Sequence, residues 1–296
     1  MYLVTCCSTV DLSAEHLQER GVRCLSFQYE LNGVSYADDF GKTIPLDEFY
    51  EAMRNGAETH TSQININGYY NFFKGIFEEG HDILHIAFSS GLSGSINSAH
   101  NAASMLADEY PDRKLVIIDS LNASAGHGLL VDYAADLRDN NVSLDDAAEK
   151  LEERRMHAQG WFFTTTLKYL IRGGRVNKAA GLIGETLGIC PLLYIDAEGH
   201  LIPKEKVRTK KKVMTALVDR MLMVAENGAD YDGACHICHS ACLADAEAVI
   251  ALIEERFPKL AGKIQLHEVG TIIGSHTGPG TIGAFFWGSR KDEPQA

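Results

Sequence analysis

Hydrophobic residues in the first half of the chain form short runs that alternate with segments of helical periodicity. Strands are predicted for residues 2–7, 22–30, 83–88 and 115–120, and helices for residues 46–54, 96–109, 125–139 and 143–157. In the last helix, Ser143 and Asp146 form a capping box, and Leu144, Ala148 and Leu151 share one face. This alternation predicts an α/β fold with a Rossmann-like parallel sheet covered by helices.

The pattern changes near Gly160. A strand is predicted for residues 161–166, a glycine-dense helical region for 173–188, and a hairpin from residues 191–196 and 198–202. Two further helices follow, with apolar faces formed by Val213, Leu217, Met221 and Val224, and by Leu243, Ala246, Ile250, Ile253 and Phe257. Hairpins mixed with helices predict an α+β unit. We therefore expect an N-terminal α/β domain over residues 1–158 and a C-terminal α+β domain over residues 159–290.

Composition and charge narrow the function classes. The net charge of −13 disfavours binding to nucleic acid, because an acidic surface repels phosphate backbones. No run approaches the roughly 18 apolar residues of a spanning helix, and the first residues lack a charged n-region. We expect a cytoplasmic protein without a transmembrane segment. The 7 cysteines suit reduced thiols better than a disulfide framework.

The strongest candidate for chemistry is the segment SSGLSGS at residues 89–95. It lies between a predicted buried strand and a predicted helix. The first N–H groups of a helix lack intrahelical partners, and the helix dipole is positive at that end. Four hydroxyls in seven residues add further donors. The loop therefore predicts a site for a small anion, which could be a phosphate, a carboxylate or a reaction intermediate.

Three other segments carry candidate residues. Thr61-Ser62-Gln63 fits either a helix cap or linker, or a binding segment. Arg172-Gly173-Gly174-Arg175 fits either a glycine turn with solvated charges or an anion-binding loop. His276 lies beside the turn Gly278-Pro279-Gly280, where an imidazole could donate to a carboxylate or serve the structure alone.

Several enzyme or metal motifs are incomplete. Ser93, Asp119 and His276 have the chain order of an α/β-hydrolase triad, but Ser95 replaces the last glycine of the nucleophile motif. No phosphate-binding loop of the type GxxxxGK[ST] is present, and Val131 replaces the third glycine of a dinucleotide turn. The run CHICH at residues 235–239, with Cys235 and Cys238, fits a strand as well as a metal site that lacks further ligands.

Taken together, these segments resemble the DegV family of bacterial fatty-acid-binding proteins. The resemblance spans about residues 2–288 and rests on segments that occur in order. They are STVDL at 8–12, TSQ at 61–63, SSGLSGS at 89–95, DS at 119–120 with GHG at 126–128, YLIRGGRV at 169–176, VRTKK at 207–211 and IGSHTGPG at 273–280.

The resemblance implies two domains that hold a long-chain fatty acid between them, with the acyl chain in an apolar tunnel. It implies a carrier and not an enzyme, with the fatty acid as its ligand and no cofactor or metal. The expected partner is an ATP-dependent, dihydroxyacetone-kinase-like fatty acid kinase, which forms an acyl phosphate for phospholipid synthesis. Lipid exchange would also involve transient membrane contact. The alternative remains an acyl hydrolase that uses Ser93, Asp119 and His276.

The resemblance also assigns roles to individual residues. Thr61 and Ser93 should hydrogen-bond the carboxylate, and His276 should contact it or orient a neighbour. Arg172 should complement its charge near the partner surface. Pocket support is expected from Ser62, Gly94 and Gly278. The chain departs from the family at Ile64, where proline is usual, and at Cys190, where lysine is frequent. These departures affect a loop and the charge of the partner face.

The energetics of burial agree with a lipid carrier. A chain of about sixteen carbons, at ~0.8 kcal/mol per buried CH₂, offers on the order of 10 kcal/mol before the cost of association. The tail would supply most of the affinity, while the polar residues fix the orientation. Glycines 181, 184 and 188 could leave room for the chain or allow close helix packing.

Overall fold

A computed structural model describes residues 2–177 and 189–293. The strands are β1 (Tyr2–Cys7), β2 (Arg23–Leu25), β3 (Gln28–Leu31), β4 (Val34–Ala37), β5 (Thr59–Ser62), β6 (Asp82–Ala87), β7 (Leu115–Asp119), β8 (Ala158–Phe163), β9 (Ile189–Ile195), β10 (Leu201–Arg208), β11 (Cys235–His239), β12 (Gln265–Glu268) and β13 (Ile282–Trp287). The predicted helical region at 173–188, which includes Gly181, Gly184 and Gly188, lies mostly outside the described residues.

The α-helices are α1 (Ala14–Glu19), α2 (Leu46–Arg54), α3 (Ile66–Glu78), α4 (Ser95–Glu109), α5 (Ala125–Asp139), α6 (Leu144–Arg154), α7 (Lys168–Arg172), α8 (Lys210–Val224), α9 (Leu243–Arg256) and α10 (Thr271–Thr277). Short 3₁₀ turns occupy Ser8–Val10, Arg155–His157, Gly228–Asp230 and Pro258–Leu260. Several helices begin at side-chain caps. The hydroxyl of Ser143 accepts from the Asp146 N–H, and the Asn65 side chain accepts from the Gly68 N–H.

The first sheet has the strand order β2-β1-β6-β7 and is entirely parallel. This confirms the predicted parallel α/β unit. The predicted strand at residues 22–30 is wrong as one element, because it divides into β2 and β3. Phe27, between them, is buried and donates its N–H to the hydroxyl of Ser8. The chain then leaves the first sheet, and β3 pairs antiparallel with β4 and β5 in a separate sheet.

The third sheet has the strand order β10-β9-β8-β13-β11-β12, and all its pairings are antiparallel except β11 with β12. This confirms the mixed α+β character of the second half. The strand predicted for residues 161–166 ends earlier, at Phe163. The Thr164 hydroxyl donates to the Thr166 carbonyl there and turns the chain.

Helix α5 joins the two larger sheets. Ten of its fifteen residues are buried, and it contacts β1 and β6 of the first sheet as well as β8, β11 and β13 of the third. Buried side chains from both sheets form one continuous apolar cluster around it. The predicted division between residues 158 and 159 falls at the start of β8 and stays a prediction.

Candidate functional site

A cavity of about 520 Å³ lies where the loop after β6 meets β5, α10 and the third sheet. Its walls are mostly apolar, and its polar lining residues come from distant segments. The apolar wall includes Phe27, Phe88, Leu92, Phe162, Leu170, Ile195, Leu201, Val269, Ile272, Ile273 and Phe285. The polar lining includes Thr61, Ser62, Gln63, Ser90, Ser93, Ser124, Arg175, His276, Thr277 and Thr281.

The loop at residues 89–94 runs from β6 to the start of α4, as the sequence predicts. The N–H groups of Leu92 and Ser93 both donate to the Ser89 carbonyl at 3.1 Å, which closes a tight turn. The Ser95 N–H donates to Ser93 Oγ at 3.2 Å. Because a hydroxyl that accepts one bond can still donate its own proton, Ser93 can hydrogen-bond an anion in the cavity.

The turn between β9 and β10 is docked on this loop. Ser89 Oγ donates to the Gly199 carbonyl at 2.9 Å. A Cβ on Gly91 would lie 2.7 Å from the Glu198 carbonyl oxygen, and one on Gly199 would lie 2.1 Å from Ser89 Oγ. These contacts require glycine at both positions, so the second half of the chain helps to fix the loop that carries Ser93.

Thr61 and His276 form the polar centre of the site. Thr61 lies in β5, and its Oγ1 is 2.7 Å from Nε2 of His276. The sequence leaves Thr61 as a cap, linker or binding residue, and the structure places it in an antiparallel strand. His276 lies in the last turn of α10, whereas the sequence associates it with the glycine-proline turn that follows. Strand and helix thus bring together two residues far apart in the chain.

The other ring nitrogen of His276 has different surroundings. Nδ1 is buried and has no hydrogen-bond partner among the described residues. A Cβ on Gly173 would lie 2.2 Å from Nδ1, so the ring can occupy this place only because residue 173 has no side chain. Burial, with Arg175 and Arg172 nearby, lowers the pKa of His276 to about 4. His276 is therefore neutral at pH 7.

The two arginines of the RGGR segment have different positions. Arg175 lines the cavity, and its Nε donates to the Leu92 carbonyl at 3.2 Å, next to Ser93. Arg172 does not line the cavity. Its guanidinium donates to Thr59 Oγ1 at 2.9 Å and lies 5.3 Å from the centre of the Tyr169 ring. Arg175 is thus the arginine of this segment that lines the cavity, whereas the resemblance assigns the complementary charge to Arg172.

The three predicted supporting residues have distinct local roles. Ser62 lines the cavity at the end of β5, where it pairs with Gln28. Gly94 lines the cavity just before α4. A Cβ added there would lie only 3.0 Å from Oε1 of Gln63. Gly278 ends α10 with φ +73°, and a Cβ there would lie 2.2 Å from the Tyr169 ring. It shapes the end of the helix that carries His276.

Comparison with known proteins now identifies the family. The model of the family described as "Uncharacterised protein, DegV family" matches residues 3–288. A DegV domain-containing protein of Clostridium perfringens is 33% identical over 285 residues, which is 96% of this chain and 97% of the relative. The chain belongs to the DegV family.

Solved structures share the fold of this chain. The crystal structure of a stearic-acid-binding protein from Eubacterium ventriosum matches with a TM-score of 0.84 and 25% identity, over 98% of this chain and 99% of that one. The fatty acid kinase B3 protein of Streptococcus pneumoniae, loaded with linoleic acid, matches with a TM-score of 0.82 and 21% identity, over 97% and 99%. The predicted two-domain α/β architecture is thereby confirmed for this DegV chain.

The geometry of the DegV site does not assemble a hydrolase triad. Asp119 Oδ1 accepts from the N–H groups of Ser90 and Leu121, and His276 Nε2 bonds Thr61. Ser93 Oγ accepts from the Ser95 N–H. No hydrogen bond joins Ser93, Asp119 and His276 to one another in the part of the chain that the structure describes, so the relay that activates a serine nucleophile is not in place.

The CHICH run forms strand β11, which runs between β13 and β12. Burial raises the pKa of the Cys235 and Cys238 thiols to about 12, which disfavours the thiolate form that metals bind. Over residues 2–177 and 189–293, no cluster of three or more His, Cys, Asp or Glu side chains could hold a metal ion. Within the same ranges, no helix is long and apolar enough to cross a membrane.

The two departures from the DegV pattern are both buried. Ile64 precedes Asn65, the cap of α3, and a Cβ on Gly68 would lie 3.1 Å from its Cγ2 atom. Cys190 lies in β9, and burial raises the pKa of its thiol.

Most of the cavity wall carries no signal in the sequence. Phe27, Ile195 and Phe285 belong to three different segments, and no local pattern marks a residue that lines a cavity from one that fills a core.

Proposed function

We propose that this DegV protein binds a long-chain fatty acid, with the carboxylate held by Thr61 and Ser93, with Thr61 oriented by His276, and with the acyl chain in the apolar cavity. The observation that carries the proposal is the convergence of these polar groups on one apolar cavity. A chain of contacts runs from Thr61 through His276 to Gly173, and from Arg175 to Leu92 beside Ser93. A volume of about 520 Å³ falls within the roughly 300–1,000 Å³ of small-molecule pockets.

The hydrogen bond between Thr61 and His276 leaves a donor that suits a carboxylate. With the proton on Nε2, His276 donates to Thr61 Oγ1, and the Thr61 hydroxyl keeps its own proton for the ligand. Nδ1 then carries a lone pair and no proton, and it accepts no hydrogen bond from the described residues. Ser93 supplies a second hydroxyl, and Arg175 supplies the opposite charge. The stearic-acid-binding relative from Eubacterium ventriosum supports the same class of ligand.

We further propose that the bound carboxylate is presented to a separate ATP-dependent kinase. In that step a carboxylate oxygen attacks the γ-phosphorus of ATP, and the products are an acyl phosphate and ADP. The present chain supplies the oriented carboxylate and the kinase supplies the chemistry. The support for this step is the resemblance of the motif set to the DegV family, and its expected partner is a dihydroxyacetone-kinase-like protein.

Ligand binding can be tested on the purified protein by native mass spectrometry, before and after lipid extraction. We expect a long-chain fatty acid to co-purify or to rebind to the extracted protein, one per chain. A variant with both Thr61→Val and Ser93→Ala should retain its fold and bind less. A protein that neither carries nor takes up any fatty acid would overturn the proposal.

The kinase step needs its own test. Oleate-loaded protein is added to a purified bacterial fatty acid kinase, and formation of ADP is followed. Turnover that depends on the loaded chain supports the step. Binding of fatty acid without turnover in several such kinases would restrict the function to binding alone.

A further inference from the structure

Two buried carboxyl groups meet at the N-terminal end of α10, the helix that carries His276 at its other end. Asp11 follows the turn after β1, and Asp38 follows β4; their exposures are only 6% and 3%. A Cβ placed on Gly270 would lie 3.0 Å from Asp11 Oδ1 and 3.7 Å from Asp38 Oδ1. Both carboxyls therefore lie against the residue that precedes the helix.

Asp11 joins three segments through its two oxygens. Oδ1 accepts from the Gly270 N–H at 2.9 Å, and Oδ2 accepts from the Ser124 hydroxyl at 2.5 Å. Ser124 lines the cavity just before α5. Because the Ser124 hydroxyl donates its proton to Asp11, that proton is not available to a ligand in the cavity.

Asp38 provides a second connection. Its Oδ1 accepts from the Thr271 hydroxyl at 2.7 Å, and the carboxyl also accepts from the Thr271 N–H and the Ser8 hydroxyl. The Asp38 N–H donates to the carbonyl of Phe27, another wall residue of the cavity. The first residue of α10 is thus tied to the first half of the chain through side chain and backbone.

We propose that Asp11 and Asp38 are positioning residues that hold α10 in place and thereby hold His276 against Thr61 in the cavity. This inference rests on the proposed fatty-acid site and adds two residues to it. Each carboxyl accepts a hydrogen bond at this end of the helix, Asp11 from the Gly270 N–H and Asp38 from the Thr271 hydroxyl. Their donors belong to the start of α10, to Ser124 before α5 and to Ser8 in the turn after β1. Loss of the two carboxyls would therefore release the start of α10 from the other two segments.

The surroundings of the pair make it sensitive to pH. The titratable groups nearby are Asp38, Tyr50 and Cys238 around Asp11, and Asp39, Tyr29 and Cys24 around Asp38. Neither Asp11 nor Asp38 forms a salt bridge among the described residues. Burial raises the pKa of Asp11 to about 7 and also raises the pKa of Asp38.

The test follows the His276 ring by ¹⁵N NMR in the ligand-free protein between pH 5.5 and 8.5, with the signals assigned by comparison with His276→Gln. The pKa of His276 itself is lowered to about 4, so its own titration lies below this range. We expect the wild-type ring signals to shift in a step near pH 7, which reports the ionisation of Asp11. Asp11→Asn should abolish this step, and Asp38→Asn should alter it.

Stearate affinity at pH 8 provides the second measurement. We expect Asp11→Asn and Asp38→Asn each to weaken binding roughly tenfold, because an amide cannot replace an ionised acceptor for these donors. Ser124→Ala and Thr271→Val each remove one hydroxyl donor and should produce a smaller loss in the same direction. Asp112→Asn, which changes an exposed carboxyl, should behave as the wild type.

The outcomes separate the two proposals. Wild-type stearate affinity together with an unchanged pH step in both Asp variants would overturn the positioning role. If the wild type binds no stearate, the fatty-acid function fails, and the ring signals of the ligand-free protein still decide the positioning role. If an Asp variant does not fold, the His276 ring signals of Ser124→Ala and Thr271→Val decide the positioning role instead.

Discussion

His276 shows at the scale of one residue how burial sets the protonation state of a group in the proposed binding site. Its ring is mostly enclosed, and the nearby Arg175 and Arg172 further disfavour a positive charge. A neutral imidazole can donate from one nitrogen only, and the 2.7 Å contact with Thr61 uses Nε2. The charge that meets an anionic ligand must therefore come from elsewhere, and Arg175 is the guanidinium that lines the cavity.

Thr61→Val tests this pair directly. Valine has nearly the same shape, but it leaves Nε2 of His276 buried without its partner and removes one donor to the ligand. We expect stearate affinity to fall by about 1–3 kcal/mol, measured by titration calorimetry. Thr215→Val, at an exposed position of α8 whose hydroxyl bonds Lys211, is the matched control. Equal affinity of both variants would remove Thr61 from the site.

Helix α10 and the segment after α7 show how elements fit together around the site. The Gly173 N–H donates to the Tyr169 carbonyl as α7 ends, and the His276 ring fills the space where a side chain would stand. Tyr50 of α2 also packs against the α10 region and donates its hydroxyl to the Val269 carbonyl at 2.7 Å. The position of α10 thus depends on neighbours from both halves of the chain.

Gly173→Ala should displace His276, because the added methyl would lie 2.2 Å from Nδ1. We expect at least a tenfold loss of stearate affinity, about 1.4 kcal/mol or more, with the overall fold retained. Gly75→Ala, in α3 with no atom within 4 Å of the added methyl, should leave binding unchanged and the helix slightly more stable. Titration of both variants with stearate tests this expectation. Equal affinities would count against the contact between residue 173 and His276.

Five largely enclosed histidines give the whole molecule a defined response to acid. Burial lowers the pKa of each of them to about 3 or 4. They are His85, His127, His236, His267 and His276. In the unfolded chain each takes up a proton near its ordinary pKa of about 6.5. Between pH 7 and pH 5 the unfolded state therefore binds more protons than the native state, and the native state loses stability as the pH falls.

We accordingly expect the free energy of unfolding in urea to be lower at pH 5 than at pH 7, by on the order of several kcal/mol. Asp11 acts in the opposite direction, because its pKa is raised to about 7 and its native carboxyl takes up a proton in this range. Asp11→Asn should therefore steepen the loss of stability on acidification. A free energy of unfolding that stays level or rises between pH 7 and pH 5 would contradict this account.

The sequence by itself determined the features that depend on local period and local chemistry. Helix α5 has the predicted bounds, and the parallel strands β1, β6 and β7 lie within a residue or so of theirs, because a buried helix or strand repeats its apolar positions over a short range. The loop that carries Ser93 follows from a strand, a run of small residues and a helix start. The motif set was sufficient to indicate the DegV family.

Only the tertiary structure decided which residues meet. Thr61 and His276 are 215 positions apart, and no local pattern could place a strand of a small separate sheet beside the last turn of α10. The same holds for Arg175, which lines the cavity while Arg172 does not, and for Asp11 and Asp38 at the start of α10. These contacts depend on how sheets and helices pack in three dimensions, which hydrophobic period alone does not encode.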